Sequence, residues 1–453
     1  MNIHFIAIGG AAMHNLALAL VKKGYTITGS DDEIYEPSRT RLTNAGILPA
    51  EMGWYPEKIH AKLDAIILGM HARVDNPELI KAQDMGLKIY SYPEFLYEQS
   101  KNKKRVVIGG SHGKTTVTSM IMHVLKTKNI GFDYLVGSQL EGFERMAHID
   151  DKNKIAVFEG DEYLASPIDR RPKFHLYKAD IGLITGIAWD HVNVFPTYDN
   201  YVDQFRIFAN EMPASGHLVY CAYDPELMKM VQTTKIDACF VPYGLPENYV
   251  NENDQSVVKY DGKEYVLNVF GDHNLMNLEG ACNVCGLLGI SKHEFYKAIQ
   301  SFKGAARRLE LVHKAPGFIA YRDFAHSPSK LKATTNAIKN QYKKYKIVAC
   351  MELHTFSSLN ENFLGEYKNS FDQADLPVVY FNPQTIAHKK LKPITEEQVK
   401  QAFGRDDLNV ITDTHVFRDF LRSLDLNDSC LLLMSSGTFD GTDIKQLISE
   451  LKF

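Results

Sequence analysis

Apolar runs of strand length alternate along the chain with stretches whose apolar residues recur at helical spacing. Residues 3–8 read as a strand and 11–23 as a helix. Strands follow at 25–28, 65–68 and 87–90, with a helix over 77–85. This βαβ order predicts a mostly parallel sheet. The polar stretch 98–104, EQSKNKK, breaks the pattern and reads as a linker. A second unit opens with a strand at 105–109, a loop and a helix over 114–128. Further strands are expected at 155–159 and 181–185. Residues 250–270 read as hairpins, with Tyr260-Asp261-Gly262-Lys263 as a turn. Helices over 275–288 and 292–302 close this unit. After Arg307-Arg308 the pattern restarts, with strands at 318–322, 346–351, 377–381 and 430–435. The expectation is an α/β protein of three domains, 1–100, 101–310 and 311–453, each a mostly parallel sheet flanked by helices.

The length of 453 residues agrees with three domains of about 100–200 residues each. The residues are 45% hydrophobic and 23% charged, an ordinary globular balance. A formal net charge of −4 argues against a chain-wide nucleic-acid or anionic-membrane footprint, while a local basic patch stays possible. No apolar run approaches the roughly 20 residues of a membrane span. The chain begins at once as a strand, with no basic leader, so no signal peptide is expected. Six scattered cysteines suit a reducing cytoplasm. The implied class is soluble and cytoplasmic, with no nucleic-acid partner and no membrane insertion.

The strongest chemical signal is Gly109-Gly110-Ser111-His112-Gly113-Lys114-Thr115-Thr116, between a strand and a helix. Small residues let backbone N–H groups curl around a polyphosphate, and the helix N-terminus favours negative charge. Lys114 can neutralise phosphate oxygens and Thr115 can ligate Mg²⁺. The long form of the motif wants glycine at position 108, which is Ile, so the sequence fits G-[ST]-x-G-K-[ST]-[ST]. A chance glycine-rich turn is the alternative reading. Glu159 ends one strand and Asp190-His191 follows another. Strand C-termini in a parallel sheet face one crevice, so both Glu159 and His191 can reach a nucleotide-bound metal. Singly, each is also read as a solvated or structural residue.

Ala7-Ile8-Gly9-Gly10-Ala11-Ala12-Met13 keeps one glycine of a G-x-G-x-x-G fingerprint, with Ala7 and Ala12 in place of the others. It is weak as a dinucleotide signature, yet small enough for a diphosphate to approach. Ser30 and Asp31 end the second strand, where an acid commonly meets a ribose. His71 and Arg73 lie in a polar loop after the third. Cys282-x-x-Cys285 supplies only two metal ligands, and small buried core residues are the better reading. The basic run 101–105 reads as a solvated linker.

On the phosphate loop, Phe158-Glu159-Gly160-Asp161-Glu162-Tyr163 and Asp190-His191, the chain resembles the Mur ligase family, the ATP-dependent amide ligases of peptidoglycan precursor synthesis. The resemblance implies a Rossmann-like UDP-substrate domain, a central phosphate-loop ATPase domain and a Rossmann-like third domain. It implies ATP and Mg²⁺ as cofactors, with Thr115 and Glu159 on one metal and His191 on a second. Lys114, Glu159, His191 and Arg308 would then be catalytic. Gly110, Ser111, His112, Gly113, Thr115 and Thr116 would cradle phosphates.

Gly271-Asp272-His273-Asn274-Leu275-Met276-Asn277 resembles G-x-H-N-x-x-N, placing Asn274 and Asn277 on the nucleotide; a helix N-cap is the plainer reading of Asn274. Arg307-Arg308-Leu309-Glu310 resembles R-[RF]-x-E, placing Arg308 on the phosphates; a solvated basic pair is the alternative. Asp323-Phe324-Ala325-His326-Ser327-Pro328 resembles D-[YF]-[AG]-H-x-P, placing Asp323 and His326 on ATP or substrate. Gly9, Gly10, Ala12, Met13, Ser30, Asp31 and His71 would hold UDP-N-acetylmuramate. No lysine occurs between Lys178 and Lys229, so the carbamylated lysine of some members is missing, which points to the muramic-acid-adding branch.

Which amine is joined is read from three segments. Tyr35-Glu36-Pro37-Ser38, Ile168-Asp169-Arg170-Arg171-Pro172-Lys173-Phe174 and Ser435-Ser436-Gly437-Thr438-Phe439-Asp440-Gly441 resemble the branch that adds the recycled tripeptide L-alanyl-γ-D-glutamyl-meso-diaminopimelate, the murein peptide ligases. His354 resembles the alanine-adding branch instead. The tripeptide is the expectation, with an L-alanine ligase of precursor synthesis as the alternative. A nucleotide-gated binding protein without turnover and a nicotinamide-dependent oxidoreductase are more distant readings.

Overall fold

The computed structural model describes residues 1–137, 140, 142–252, 255–305 and 307–453. The chain forms two compact units. One comprises Met1–Ile187, Val202–Gly244 and Asn277–Ile299; the other comprises Ala188–Tyr201, Leu245–Met276 and Gln300–Phe453.

The first unit holds two sheets. A four-stranded parallel sheet runs in the order Thr26–Ser30, Asn2–Ile6, Ala65–Leu68, Ile89–Ser91. Two of its helices start where the sequence supplies caps. Asn76 accepts hydrogen bonds from Glu78 N and Leu79 N at the start of Pro77–Asp84. Ser91 and Glu94 form a reciprocal capping box that starts Tyr92–Ser100.

That box corrects the expected linker over 98–104. Residues 98–100 finish the helix and Lys104 already begins the strand Lys104–Gly109, leaving three residues between them. Several polar side chains of this stretch are engaged rather than solvated: Ser100 is buried and donates to Leu96 O at 2.7 Å, and Lys103 pairs with Asp133. Arg105 closes this joint. Its guanidinium donates to the carbonyls of Ser100, Lys101, Lys103 and Lys178 and to Asp180 Oδ1.

A seven-stranded sheet follows in the order Cys239–Tyr243, His217–Cys221, Ile181–Ile184, Lys104–Gly109, Ile155–Glu159, Phe132–Leu135, Ala147–His148. Only the last pairing is antiparallel. The pattern of apolar runs omits four of these strands. Cys239–Tyr243 shows why: it is an edge strand, and Pro242 interrupts its apolar run. Val106, Val107, Ile108, Phe158 and Leu183 fill the centre.

The second unit holds a three-stranded antiparallel sheet, Tyr249–Glu252, Gln255–Tyr260 and Lys263–Leu267. Its second turn is the expected one: Asp261 and Gly262 both have positive φ, 48° and 73°, as a type I′ hairpin requires. A six-stranded sheet runs Glu310–Ala315, Phe318–Asp323, Ser429–Met434, Lys346–Glu352, Leu376–Tyr380, Asn409–Ile411. All but the first pairing are parallel. Its two faces follow the period of two: Ile347, Ala349 and Met351 join one core, Val348 and Cys350 the other. Cys282 and Cys285 are buried within Asp272–Leu287, and burial pushes the Cys282 thiol up to about 12, consistent with core residues. Among the described residues no helix is long and apolar enough to cross a membrane.

Asp31 follows the Thr26–Ser30 strand and is buried. Its Oδ2 accepts from Gly9 N at 2.7 Å. Burial is the largest influence on its carboxyl and Asp32 adds to it, so its pKa rises from 3.8 to about 6 despite the Gly9 bond. Between those values the folded chain binds a proton that the unfolded chain has lost. Its contribution to stability is therefore present below about pH 4 and falls as pH rises to about 6. Asp31→Asn should remove that downward slope, measured as urea midpoints across the same pH range. Ser91→Ala removes one half of the capping box and should cost about 1 kcal/mol of unfolding free energy, read from the same titrations.

Candidate active site

The central strand of the seven-stranded sheet, Lys104–Gly109, lies between Ile155–Glu159 and Ile181–Ile184. All three are parallel, so Gly110, Glu159 and Thr185 emerge at one edge. Gly110 has φ +122°, and a Cβ there would lie 2.1 Å from Thr185 Oγ1. Gly113 has φ +77°, and a Cβ there would lie 2.4 Å from Asn277 Oδ1. Thr185 donates a short hydrogen bond to His112 O, and Ser111 N donates to Gly186 O at 2.9 Å. The loop is thus bound to the neighbouring strand and then turns into Lys114–Thr127.

Lys114 Nζ donates to Gly110 O at 2.6 Å and to Glu162 Oε2 at 2.7 Å. Burial alone would lower its pKa, but Glu162, Asp161 and Glu159 outweigh burial and hold it above 10.5. The ammonium is a fixed cation. Thr115 Oγ1 donates to Glu159 Oε1 at 2.6 Å, and Glu159 Oε2 accepts from Gly137 N at 3.0 Å. A hydroxyl and a carboxylate oxygen at one point are the hard donors that Mg²⁺ takes, so this pair fits the metal. Thr116 is buried in the first turn of the helix. Asp161 pairs with Lys173 at 2.6 Å. Glu162 and Thr185 hold this loop; the sequence left open whether Glu162 positions ligands or shapes the loop, and did not single out Thr185. Their signal was position, at the C-terminal ends of strands flanking the loop.

In the four-stranded sheet, Ala7 has φ +67°, a left-handed conformation where the fingerprint has glycine. Gly9 meets Asp31 as described, and a Cβ at Gly9 would lie 2.9 Å from Asp31 Oδ2. Gly10 precedes Ala11–Lys22, in which Ala12 is half-buried and Met13 buried. Ser30 is buried and accepts from Lys58 Nζ at 3.2 Å. His71 is exposed.

The second unit carries the remaining residues. Asp190 is buried; its Oδ1 accepts from His191 N at 2.7 Å and from Ser357 Oγ at 3.3 Å. Its Oδ2 lies 3.8 Å from both His326 Nε2 and Lys330 Nζ. Burial opposes ionisation, yet His191, Lys330 and His326 hold the carboxyl far below its ordinary range. Burial and Lys330 push His326 down to about 3, so its ring is neutral near pH 7. Asp323 accepts from Leu309 N and Ala325 N, both at 2.7 Å. The Arg308 guanidinium stacks 4.6 Å from the Phe324 ring centroid. Asn274 is not an N-cap: the helix begins at Asp272, and the Asn274 amide donates back to Phe270 O at 2.9 Å.

The structure therefore gathers Gly110, Gly113, Lys114, Thr115, Glu159 and Asn277 in one unit. It gathers Asp190, His326 and Asp323 with its neighbours in the other.

Residues 108–285 match the Mur ligase middle domain, and residues 2–104 match the catalytic domain of the Mur ligase family. The UDP-N-acetylmuramate–L-alanine ligase of Caldicellulosiruptor bescii is 32% identical over 87% of this chain and 86% of its own. Among solved structures, the murein peptide ligase of Psychrobacter arcticus matches with a TM-score of 0.69 and 22% identity, over 99% of this chain and 98% of that one. The UDP-N-acetylmuramate-alanine ligase of Thermotoga maritima matches with a TM-score of 0.70 and 20% identity, over the same shares. At those identities the two structures speak for the fold alone.

These relatives correct the expected tripeptide branch. Eight curated relatives, 28–33% identical over 83–99% of the chain, all carry the name UDP-N-acetylmuramate–L-alanine ligase. The structure shows why the segments misled. Lys173 is taken by Asp161, while Ser435 Oγ and Phe439 N both bind the buried Glu352. Such residues are engaged by groups of the protein itself, at Asp161 and at the end of the strand Lys346–Glu352, and say little about which amine is bound. With the relatives' identity and span set beside the phosphate loop, the chain belongs to the Mur ligase family and is an ATP-dependent carboxylate–amine ligase.

Proposed function

We propose that this ligase joins L-alanine to UDP-N-acetylmuramate, with ATP converted to ADP and phosphate. The observation that carries the amine is the shared name of relatives spanning nearly the whole chain. The fixed Lys114 cation and the loop around it support the ATP half. On this reading residues 1–100 grip the sugar nucleotide, 101–310 work the ATP and 311–453 form the third domain. We place the reaction in the cytoplasm, with ATP and Mg²⁺ as cofactors.

The lactyl carboxylate attacks the γ-phosphorus and ADP leaves, giving an acyl phosphate. The deprotonated amine of alanine attacks the acyl carbon, and phosphate leaves from the tetrahedral intermediate. Most of the work is positioning and charge neutralisation. Lys114 orients phosphate oxygens, and backbone N–H groups of residues 110–116 bind them. Thr115 and Glu159 would hold one Mg²⁺ and His191 a second; when bound, the metal neutralises charge on the transferred phosphoryl group. Arg308, with a planar guanidinium, is assigned to phosphate and Asn277 to the nucleotide. Asn274, Asp323 and His326 are assigned to the nucleotide or substrate. Gly9, Gly10, Ala12, Met13, Ser30, Asp31 and His71 are assigned to UDP-N-acetylmuramate.

Phosphate release with ATP, Mg²⁺ and UDP-N-acetylmuramate should depend on added L-alanine. Release with the tripeptide but not with alanine would overturn the reading. Lys114→Ala should lower kcat by at least about a thousandfold; retained turnover would remove the loop from the mechanism. Gly113→Ala should abolish ATP binding in a calorimetric titration, because the methyl group meets Asn277 in a backbone conformation that disfavours a side chain.

A further inference from the structure

A buried histidine–carboxylate contact lies inside the four-stranded sheet, apart from the phosphate loop. His4 and Glu78 are both fully buried, with Nε2 and Oε2 3.1 Å apart. His4 stands on Asn2–Ile6, and its Nδ1 is 2.8 Å from Thr28 Oγ1 on the neighbouring strand. Glu78 is the second residue of Pro77–Asp84, where the helix N-terminus favours its charge. Its Oε1 accepts from Tyr55 N at 2.7 Å, and Ser30 also bonds to the carboxylate.

Stability alone does not explain such a pair. Desolvation consumes much of the attraction, and an apolar pair of similar volume is often as stable. What an apolar pair cannot do is tie these segments together by direction. The strand of His4 leads into Gly9 and Gly10. Thr28 and Ser30 lie on the strand that ends at Asp31. Tyr55 begins the turn that carries Lys58, whose ammonium donates to Ser30 Oγ at 3.2 Å and Gly29 O at 3.4 Å, 4.5 Å from the Tyr55 ring centroid. Glu78 itself follows the loop of His71.

We infer that the His4/Glu78 pair is a positioning device for the sugar-nucleotide site, fixing the spacing between the strand end at Ser30 and Asp31 and the segment 55–58. The inference rests on the proposed use of UDP-N-acetylmuramate. Neither residue touches the reacting atoms; both act through the groups they hold.

The test is steady-state kinetics of the full-length enzyme with each substrate varied in turn. Glu78→Ala should raise the KM for UDP-N-acetylmuramate about tenfold or more, with kcat and the KM for ATP within about twofold. Glu78→Gln keeps an acceptor for Tyr55 N and should restore most of the loss. An unchanged KM for the sugar nucleotide, or an equal rise in both KM values, overturns the inference. If Glu78→Ala fails to fold, His4→Gln decides by calorimetric titration with UDP-N-acetylmuramate: weakened binding supports the device and wild-type affinity ends it. A wild-type protein that does not bind UDP-N-acetylmuramate removes the proposed function and this inference together. A wild type that binds while the variants bind equally well removes the inference alone.

Discussion

Thr185 leaves no room beside Gly110, and the phosphate loop depends on that closeness. The hydroxyl of one strand end fills the place where a side chain would stand on the next. From there it bonds to the carbonyl of His112, while Ser111 bonds back to Gly186. Protein groups alone hold the loop in this shape. The constraint reaches outward. It needs Lys104–Gly109 and Ile181–Ile184 to be adjacent and parallel, and adjacency at that register is a property of the whole sheet.

The acids around Lys114 extend the same logic to charge. A buried ammonium without partners would tend to lose its proton. Glu162 prevents this and holds the side chain at the loop's own carbonyl. The lysine is thus stored in a satisfied state. In the other unit, Asp190 Oδ2 likewise has a cation within reach, lying 3.8 Å from Lys330 Nζ and from the His326 ring.

Much of this was legible in the sequence because it is local. The glycines, Lys114 and Thr115 stand in consecutive positions, and strand–loop–helix context follows from the apolar runs around them. The hairpin at Asp261 and Gly262 was legible for the same reason. Thr185 and Lys173 were not, because their roles arise only when distant strand ends are brought side by side. The Cys239–Tyr243 edge strand was hidden by its proline. The amine was misjudged because residues of the deciding segments, Lys173, Ser435 and Phe439, are tied to other parts of the scaffold, Asp161 and Glu352, and a resemblance in scaffold residues carries no information about a ligand.

The joint at Arg105 bears on how such a chain can be rearranged. One guanidinium gathers carbonyls from the end of a helix, from two of the three residues after it and from Lys178, more than seventy positions downstream. The two sheets of the first unit therefore share a hub rather than a string. A recombination that exchanged the first hundred residues with those of a relative would cut through this hub. The incoming helix would have to present its last carbonyls at the same angle, or Arg105 would be left buried with its donors unmet. A breakpoint that spares the hub has to leave the helix and its cap at Ser91 joined to the strand they serve.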